Sequence, residues 1–430
     1  MRTIKVAMLG IGTVAKGAYR SLEMNRHKIQ KSSNADIQIV KILNRHPERD
    51  RGIDIPREKY VTDVDEIIND PEIDIVIELI GGIQPASDYM KRALLAGKNV
   101  VTANKAAVVA HGRELQKIAM EKKVMFRFEA SVAGGIPILD SISRVLIPNE
   151  FSKMVGILNG TTNYILTQME ENGMSYEGAL SNAQAKGFAE ADPTADVEGI
   201  DVGNKLSILV SMIFGMDVPL KSIPIKGITK VSAEDIEFAK ENGYRIKLLA
   251  IAENKDGKPY CDISPTLIPA SHPLANVNNE FNAVLLTGNA VDDIMFYGKG
   301  AGELPTGSAI IGDVISIAKA INKNAAYDTV PRLHFDGELE YVGEGEAKYY
   351  IRVMASDRPG ILGEIASTFG KYDIGIETMV QRSRTTGSHQ SVPIIFIVYK
   401  TQKKKLDQAL DEIITKQFVE SEESVMRVLD

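Results

Sequence analysis

The sequence contains almost no cysteine, which limits the chemistry available to it. Cys261 is the single cysteine among 430 residues, so an intrachain disulfide and a cluster of thiolate metal ligands are both excluded. A chain without disulfides is typical of a reducing compartment.

Long apolar runs are also missing. No segment approaches the roughly 20 apolar residues that a membrane-spanning helix needs. The amino-terminal stretch MRTIKVAMLGIG reaches glycine too early for the apolar region of a secretion signal. We therefore expect a cytoplasmic protein.

The chain also has fewer basic than acidic residues. The chain has 50 lysine and arginine residues against 57 aspartate and glutamate residues, a formal net charge of −7. Binding a nucleic-acid backbone needs a dominant basic surface, so we expect no nucleic-acid partner. The composition, 44% hydrophobic and 25% charged, is that of a soluble globular protein. A chain of this length usually forms more than one hydrophobic core, so we expect two or three domains.

The amino-terminal segment TIKVAMLGIGTVAKGAYRSLEMN has the pattern of a strand, a glycine turn and a helix. Gly10, Gly12 and Ala15 form the spacing G-x-G-x-x-A. In a dinucleotide site the first residue permits a tight turn, the second lets the backbone approach a pyrophosphate, and the third packs helix against strand. The phosphates would then lie at the helix N-terminus. A glycine turn with only a structural role is the alternative.

Four further apolar runs follow, separated by helical segments: ADIQIVKILNR, IDIVIELIGG, GKNVVTANK and KVMFRFEASV. This alternation predicts an α/β fold with a Rossmann-type nucleotide domain. An NAD-preferring site offers an acid at the end of the second strand, where this chain has Asn44 and Arg45. We therefore predict that NADP is accepted, with Arg45 as a contact. A merely solvated arginine is the alternative.

The stretch AEADPTADVEGIDVGNKLSILV, which begins at Ala189, places a group of carboxylates ahead of one lysine, Lys205. Asp201 and Lys205 are four residues apart in a run with helical apolar spacing, so they would share one helix face. Spacing alone favours an ordinary surface ion pair. The acids do not have the spacing of a calcium-binding EF-hand loop, and we expect no catalytic metal.

Several segments together resemble the homoserine dehydrogenase family. In chain order they are GIGTVAKG, IELIGG, GKNVVTANKA, FEASVAGGIPIL, LNGTTNYIL, KGFAEADPTADVEGIDVGNKLSIL and YGKGAGELPTGSAIIGD. Members of this family interconvert L-homoserine and L-aspartate 4-semialdehyde by hydride exchange with NAD(P), on the route to threonine, methionine and isoleucine. This chain departs from the family at Ala15, where a third glycine is usual, and at Phe188, where some members have tyrosine.

The resemblance implies roles for individual residues. Lys205 would be the general acid/base, assisted by Lys105, and Asp201 would hold the lysine in place. The residues expected to bind substrate are Glu190, Asp196, Gly160 and Thr161. The resemblance implies no substrate contact for Asp192 and Glu198, which are interpreted as loop or capping acids. Two cations close together would each lower the other's pKa, which favours proton exchange near neutral pH.

The resemblance also implies contacts to two bound groups. The cofactor, NADP with NAD as an alternative, is expected to contact Gly10, Gly12, Thr13, Val14, Ala15, Arg45, Thr102, Lys105 and Gly302. A structural monovalent cation, sodium, is expected at main-chain carbonyls around Glu129, Val132, Gly134 and Ile136.

The domain organisation follows from the same resemblance. A dinucleotide-binding domain would span residues 1–130 and be completed by residues 306–335. A substrate and dimerisation domain would span residues 131–305, and the family suggests a homodimer or homotetramer.

From Lys348 onward the apolar segments follow the order β-α-β-β-α-β of a ferredoxin-like fold. DRPGIL, residues 357–362, resembles the signature of the ACT domain, a module that binds small amino acids, and we assign residues 346–430 to it. The family suggests threonine as an effector. A role in assembly alone is an equal alternative.

Two other functions fit the sequence less well. An aspartate-semialdehyde dehydrogenase would need a cysteine nucleophile, and Cys261, in KPYCDISP, has no histidine nearby in sequence. A non-catalytic sensor of a dinucleotide and an amino acid would not need the two lysines and the carboxylates.

Overall fold

The computed structural model describes residues 1–215, 218–255, 258–323, 345–381, 391–416 and 418–429. Two sheets organise these residues. The expected fold class, a Rossmann-type domain with an α+β substrate domain and a ferredoxin-like tail, is confirmed.

The first sheet is parallel and has six strands: β1 (Arg2–Leu9), β2 (Ala35–Leu43), β3 (Tyr60–Val61), β4 (Ile75–Glu78), β5 (Asn99–Thr102) and β6 (Phe126–Arg127). Their order, β3-β2-β1-β4-β5-β6, is that of a dinucleotide-binding fold. The helices between them are α1 (Thr13–Met24), α2 (Arg26–Ser33), α3 (Asp65–Ile68), α4 (Ala86–Leu95) and α5 (Lys105–Lys122). Strand β1 is buried on both faces, as a central parallel strand must be, so its sequence reads as a continuous apolar run.

The substrate domain begins with α6 (Ile138–Asp140) and contains strands and helices in mixed order. These are β7 (Phe151–Ile157), α7 (Gly160–Asn172), α8 (Tyr176–Ala185), α9 (Thr194–Val197), α10 (Ile200–Phe214), α11 (Ala233–Glu241), β8 (Tyr244–Lys255), β9 (Lys258–Pro269), β10 (Phe281–Gly288) and β11 (Asp292–Lys299). Short 3-10 or π turns occupy Arg57–Lys59, Glu129–Ser131, Ser141–Val145, Leu220–Ser222 and Pro273–Asn276.

Helix α12 (Glu303–Lys323) returns the chain to the nucleotide domain and packs across α1. The two helices cross where Gly17 faces Gly307: a Cβ built on Gly307 would lie 2.3 Å from the Gly17 carbonyl carbon. The expected completion of the domain by residues 306–335 extends past the described part of the chain, which stops at Lys323 before resuming at Gly345. The boundaries 1–130, 131–305 and 346–430 remain predictions.

Among the described residues, α12 is the one helix with the length and apolar composition of a membrane span, and 44% of that apolar window is buried. Its apolar residues Ile310, Val314 and Ile317 belong to the same core as β1, which explains the composition without a membrane. The expected cytoplasmic location remains a prediction.

The carboxyl-terminal tail has the expected order: β12 (Glu346–Ser356), α13 (Ile361–Lys371), β13 (Ile376–Gln381), β14 (Ser391–Gln402), α14 (Lys403–Ile414) and β15 (Val419–Val428). Its sheet continues that of the substrate domain, in the order β11-β10-β7-β8-β9-β15-β12-β14-β13. The join is short, because β15 pairs with β9 in parallel only at Arg427–Thr266 and Val428–Leu267.

A buried ion pair also fastens the tail to the substrate domain. Arg352 of β12 donates from Nε to Asp235 Oδ1 at 2.8 Å, and Tyr350 OH donates to the same oxygen at 2.6 Å. Asp235 is fully buried and closes the capping box of α11 with Ser232. One carboxylate therefore both begins a substrate-domain helix and holds the carboxyl-terminal tail.

Candidate active site

A cleft of about 800 Å3 lies between the nucleotide domain, the N-terminus of α7 and the loop before α12. Most of the expected site residues line it: Val14, Lys105, Gly134, Gly160, Thr161, Glu190, Asp196, Asp201, Lys205 and Gly302. The structure thus brings together residues that are far apart in the sequence.

The glycine turn has the geometry that the spacing predicts. Gly10 has φ +104°, and a Cβ there would lie 2.9 Å from the Leu79 carbonyl oxygen. Gly12 has open space where its Cβ would be, so a ligand can approach the backbone. Helix α1 begins at Thr13 with no side-chain cap and no acid in its first turn, which leaves its first N–H groups for an anion. Ala15 is fully buried against the sheet.

Two lysines meet at one carboxylate in the cleft. Lys205 Nζ lies 2.7 Å from Asp201 Oδ2, and Lys105 Nζ lies 2.9 Å from Asp201 Oδ1. Lys205 also donates to the Leu158 carbonyl at 2.6 Å. Asp201 and Lys205 share a face of α10, as their spacing predicts, but both are buried rather than on the surface. Asp201 therefore positions both ammonium groups.

The charges of this cluster shift the pKa values of Asp201 and Lys105. Burial opposes ionisation of Asp201, but the charges of Lys205 and Lys105 outweigh burial and lower its pKa. Burial likewise opposes the charge on Lys105, yet Asp201, with Asp196 and Glu190, raises the pKa of Lys105. The expectation of a lowered pKa is therefore wrong for Lys105, because the carboxylates around it raise the pKa.

Asn159 has a larger role than an N-cap. Its Oδ1 accepts from Thr162 N at 2.8 Å, which caps α7. Its Nδ2 donates to Asp196 Oδ1 at 2.7 Å and to Asp201 Oδ2 at 2.9 Å. One amide therefore links two carboxylates of the cleft. The motif LNGTTNYIL indicated a cap, but only the fold reveals the second function.

The remaining acids of the Ala189 stretch separate into two groups. Asp196 is half-buried, and burial raises its pKa despite the hydrogen bond from Asn159, whereas Glu190 is exposed at the cleft. Asp192 accepts from Thr194 N at 3.1 Å and acts as a loop cap. Glu198 accepts from Thr229 Oγ1 at 3.1 Å. The interpretation of Asp192 and Glu198 as loop acids agrees with these contacts.

Thr161 and Phe188 form one wall of the cleft. Thr161 Oγ1 donates to the Phe188 carbonyl at 2.6 Å, which ties the start of α7 to the acidic stretch. The Phe188 ring lies 4.9 Å from the Tyr164 ring, centroid to centroid. Where a tyrosine would offer a hydroxyl, Phe188 thus contributes an apolar surface.

Thr102 lies behind the cleft. Its hydroxyl donates to Glu78 Oε2 at 2.7 Å, and both side chains are fully buried. Glu78 Oε1 accepts from Ile80 N at 2.7 Å, so this carboxylate organises the ends of β4 and β5. The Thr102 hydroxyl is engaged by Glu78, and the expected contact of Thr102 with the cofactor remains a prediction. Sequence reasoning missed Glu78, although it stands in the quoted segment IELIGG.

No acid stands at the end of β2. Asn44 is buried, accepts from His46 N at 3.2 Å, and receives Arg51 Nη2 at 3.1 Å. Arg45 is exposed at the tip of the strand. The loop is thus ordered by Asn44 and leaves Arg45 available to an anion.

The bend after β6 offers carbonyl oxygens. Ala133 and Gly134 both have left-handed backbones, with φ +53° and +48°. The carbonyls of Glu129 and Ile136 accept from Val132 N and Ile138 N, and a carbonyl has capacity for a second partner. The expected sodium ion at these oxygens remains a prediction. The side-chain oxygens of Glu129 accept hydrogen bonds from Leu139 N and Asp140 N. Burial, followed by the charge of nearby Asp313, raises the pKa of Glu129 to about 8.

Two other kinds of site, a metal site and a cysteine nucleophile, depend on which side chains come together in the fold. No group of three or more His, Cys, Asp or Glu side chains suited to a metal occurs in the described part of the chain. Cys261 is fully buried, and burial followed by the charge of Asp262 raises the pKa of its thiol to about 12. This thiol is unsuited to be a nucleophile.

Comparisons with known proteins agree with this geometry. Family models match over residues 137–315 (homoserine dehydrogenase), 10–129 (homoserine dehydrogenase, NAD-binding domain) and 349–415 (ACT domain). The homoserine dehydrogenase of Bacillus subtilis (strain 168) is 36% identical over 428 residues, which cover 100% of this chain and 99% of the relative. That of Pseudomonas aeruginosa is 37% identical over 416 residues, or 95% of each chain. The crystal structure of a homoserine dehydrogenase from Thiobacillus denitrificans superposes with a TM-score of 0.92 at 36% identity, covering 100% of this chain and 99% of that one.

Proposed function

The chain belongs to the homoserine dehydrogenase family, NAD(P)-dependent oxidoreductases of amino-acid biosynthesis, and on that premise we propose how its own residues carry the reaction. L-Homoserine carries an alcohol, an ammonium and a carboxylate, so a site must orient both charges and move the hydroxyl proton. The observation that carries the proposal is the bridge formed by Asp201 between Lys105 and Lys205.

Lys205 is the proton-transfer residue in this proposal. Its ammonium donates hydrogen bonds to Asp201 and to the Leu158 carbonyl, which fix its position. In the direction of aldehyde reduction the ammonium donates a proton to the forming alkoxide, and in the reverse direction the neutral amine accepts the hydroxyl proton. Lys105 stabilises the same oxygen electrostatically. When bound, the nicotinamide supplies the site with a hydride acceptor or donor.

The test is a spectrophotometric assay of homoserine oxidation with K205M, K105M and, as a matched control, K117M on the exposed face of α5. General acid/base residues contribute about 10²–10⁴-fold, so kcat of K205M should fall at least about 100-fold with NADP affinity unchanged. K117M should equal wild type. Turnover of K205M within about threefold of wild type would exclude Lys205 as the proton-transfer residue.

Substrate orientation is proposed for Glu190 and Asp196, which would receive the ammonium, and for Gly160 and Thr161 at the N-terminus of α7, which would receive the carboxylate. A hydrogen bond to a charged group is worth about 1.5–3 kcal/mol, so E190Q should raise KM for homoserine roughly 10- to 150-fold. D192N, in the same stretch but outside the cleft, should leave KM unchanged. Equal KM values for E190Q and D192N would contradict the role of Glu190.

NADP is the proposed cofactor, with NAD accepted. The support is the absence of an acid at the end of β2 among the described residues and the exposed Arg45 there. Thr13, Val14 and Gly302 complete the proposed contacts around the glycine turn. R45A should lower the ratio of kcat/KM for NADP over that for NAD, whereas R49A, further along the loop, should change it little. An unchanged ratio in R45A would remove Arg45 from the site.

A sodium ion is proposed at the carbonyls of Glu129, Val132, Gly134 and Ile136. Gly134 packs against the loop before α12, since its Cβ would lie 2.5 Å from the Gly300 carbonyl oxygen. A cation there would join the nucleotide domain to that loop. The melting temperature should be higher in sodium chloride than in tetramethylammonium chloride at equal ionic strength. Identical melting curves would argue against the site.

The ACT domain is proposed to bind an amino-acid effector, threonine, with assembly as the second role that its fold supports. Gly360, the N-cap residue before α13, has φ +94° and makes no side-chain cap, which leaves backbone N–H groups for a carboxylate. A homodimer or homotetramer is proposed because β11 and β13 are the open edges of the nine-stranded sheet. Light scattering measures the oligomeric state, and its comparison with and without threonine tests whether threonine changes assembly.

A further inference from the structure

A buried carboxylate that has no part in the proposed chemistry lies behind the active-site cleft. Glu78 is the last residue of β4, and Thr102, the last residue of β5, is its partner in the parallel register. Both side chains are fully buried, and neither lines the cleft. A carboxylate buried to this extent persists only where hydrogen bonds satisfy it, so its partners show what it holds in place.

One oxygen of Glu78 holds the loop after β4. Oε1 accepts from Ile80 N at 2.7 Å and from Gly81 N at 3.2 Å. Gly81 and Gly82 both have left-handed backbones, with φ +82° and +70°, a conformation that glycine adopts without steric cost. Glu78 therefore fixes the loop that directly follows its own strand.

The other oxygen of Glu78 begins a series of hydrogen bonds that reaches α5. Thr102 Oγ1 donates to Glu78 Oε2 at 2.7 Å and accepts from Asn104 N at 2.9 Å. Asn104 Oδ1 accepts from Ala107 N at 3.1 Å, which caps α5. Asn104 Nδ2 donates to the Gly82 carbonyl at 2.6 Å, so the series returns to the loop after β4. These contacts form one closed network, the Glu78 network, made of Glu78, Thr102, Asn104 and Gly82.

The Glu78 network fixes the backbone from which Lys105 extends. Lys105 is the first residue of α5 and directly follows Asn104. Its Nζ lies 2.9 Å from Oδ1 of Asp201, on α10. A displacement of about 1 Å at a catalytic group can cost about 10²-fold in rate. A shift at the start of α5 would therefore move this ammonium away from its carboxylate and slow the reaction.

We propose that Glu78 is a positioning residue for the dehydrogenase reaction, and that it sets the position of Lys105 through Thr102 and Asn104. It contacts neither substrate nor cofactor in this proposal. The proposal rests on the function proposed above for Lys105, the stabilisation of the reacting oxygen. It deepens that function, because it assigns the geometry of the lysine to a buried acid on a different strand.

The test breaks the link between Glu78 and Thr102 from either side. T102V removes the hydroxyl but keeps the side-chain shape, and E78Q places an amide opposite that hydroxyl. In both variants kcat for homoserine oxidation should fall about 10- to 100-fold, with the Kd for NADP changed less than about threefold. T102S keeps the hydroxyl and should recover most of the loss. The controls T266V, at a buried threonine of β9, and E72Q, at an exposed acid before β4, should match wild type.

A double-mutant cycle separates positioning from a role in stability alone. If Thr102 acts through Lys105, T102V should lower the kcat of K105M by less than about threefold, because the lysine that it positions is already absent. An equal fold loss in the two backgrounds would overturn the proposal. A kcat of E78Q or T102V within about threefold of wild type would also overturn it, and so would a loss of NADP affinity as large as the loss in kcat.

A crystal structure of T102V measures the position of Lys105 without turnover. The distance from Lys105 Nζ to Asp201 Oδ1 should lengthen from 2.9 Å by about 0.5 Å or more, the tolerance of a positioned catalytic group. An unchanged distance would overturn the proposal whatever the rates. Wild-type turnover by K105M would instead remove the function proposed for Lys105. In that case the distance in T102V alone decides whether the Glu78 network positions the lysine.

Discussion

Replacement of Asp201 by asparagine tests the core of the proposed mechanism. Asp201 makes contacts of 2.7 Å to Lys205 and 2.9 Å to Lys105, and it is 9% exposed. Asparagine keeps the shape but offers one neutral acceptor in place of two charged ones. A displacement of about 1 Å of a catalytic group can cost about 10²-fold, and both lysines lose an anchor, so we expect kcat of D201N to fall about 10²- to 10³-fold.

The pH profile adds a second readout. Asp201 raises the pKa of Lys105, so its removal lets Lys105 lose its proton at lower pH. Lys105 stabilises the substrate oxygen only while it is charged, so the pH at which homoserine oxidation declines on the alkaline side should move downward in D201N. Stability should fall too, because two cations lose their shared buried partner; removal of one member of a buried pair costs about 3–5 kcal/mol, less here because Lys105 is partly exposed.

The assay is initial-rate oxidation of homoserine across a pH series, with D192N as the matched control. Asp192 belongs to the same acidic stretch but caps Thr194 outside the cleft, so D192N should match wild type in rate and profile. A D201N rate within about threefold of wild type, or a profile that moves upward in pH, would refute the reasoning.

Three further predictions concern the fold. G307A places a Cβ 2.3 Å from the Gly17 carbonyl carbon and should lower the free energy of unfolding in urea by about 1–3 kcal/mol. G312A lies on the same helix with open space around its Cβ, so it should be neutral or slightly stabilising. Equal effects of the two variants would contradict the close crossing of α1 and α12. D235N leaves Arg352 buried without its carboxylate and should lower the free energy of unfolding by about 3–5 kcal/mol, measured by thermal or urea unfolding. E237Q, on the same helix, is the control. Unchanged stability of D235N would mean that other contacts hold the ACT domain to the substrate domain. Burial lowers the pKa of Lys247 from 10.5 to about 8, so its contribution to stability is present above pH 10.5 and is lost as pH falls to about 8. Relative to K247M, wild type should lose about 3 kcal/mol over that interval, and a parallel pH dependence of the two proteins would exclude Lys247 as the titrating group.

Much of the fold was readable from local patterns. The apolar runs predicted the parallel strands, the glycine spacing predicted the turn between β1 and α1, and the tail followed its expected β-α-β-β-α-β order. In the site, the spacing of Asp201 and Lys205 correctly predicted a shared helix face. Spacing could not show that this face is buried, and by itself it favoured a surface ion pair.

The remainder depended on contacts between distant segments. Glu78 was missed because a buried acid inside an apolar strand has no local pattern that marks its partner, Thr102. The direction of the Lys105 pKa was wrong because the sequence named the carboxylates of the site but not their distances, and Asp201 lies only 2.9 Å from Lys105.

The sequence by itself determined the local elements and, through its resemblance to a family, the chemistry to expect, because periodicity and turn residues act over a few neighbouring positions. Only the tertiary structure decided that Lys105 meets Asp201, that Gly17 meets Gly307, and that β15 extends the sheet of β9. Those contacts arise when separate apolar faces are buried together, and burial also sets which charges face one another without water between them.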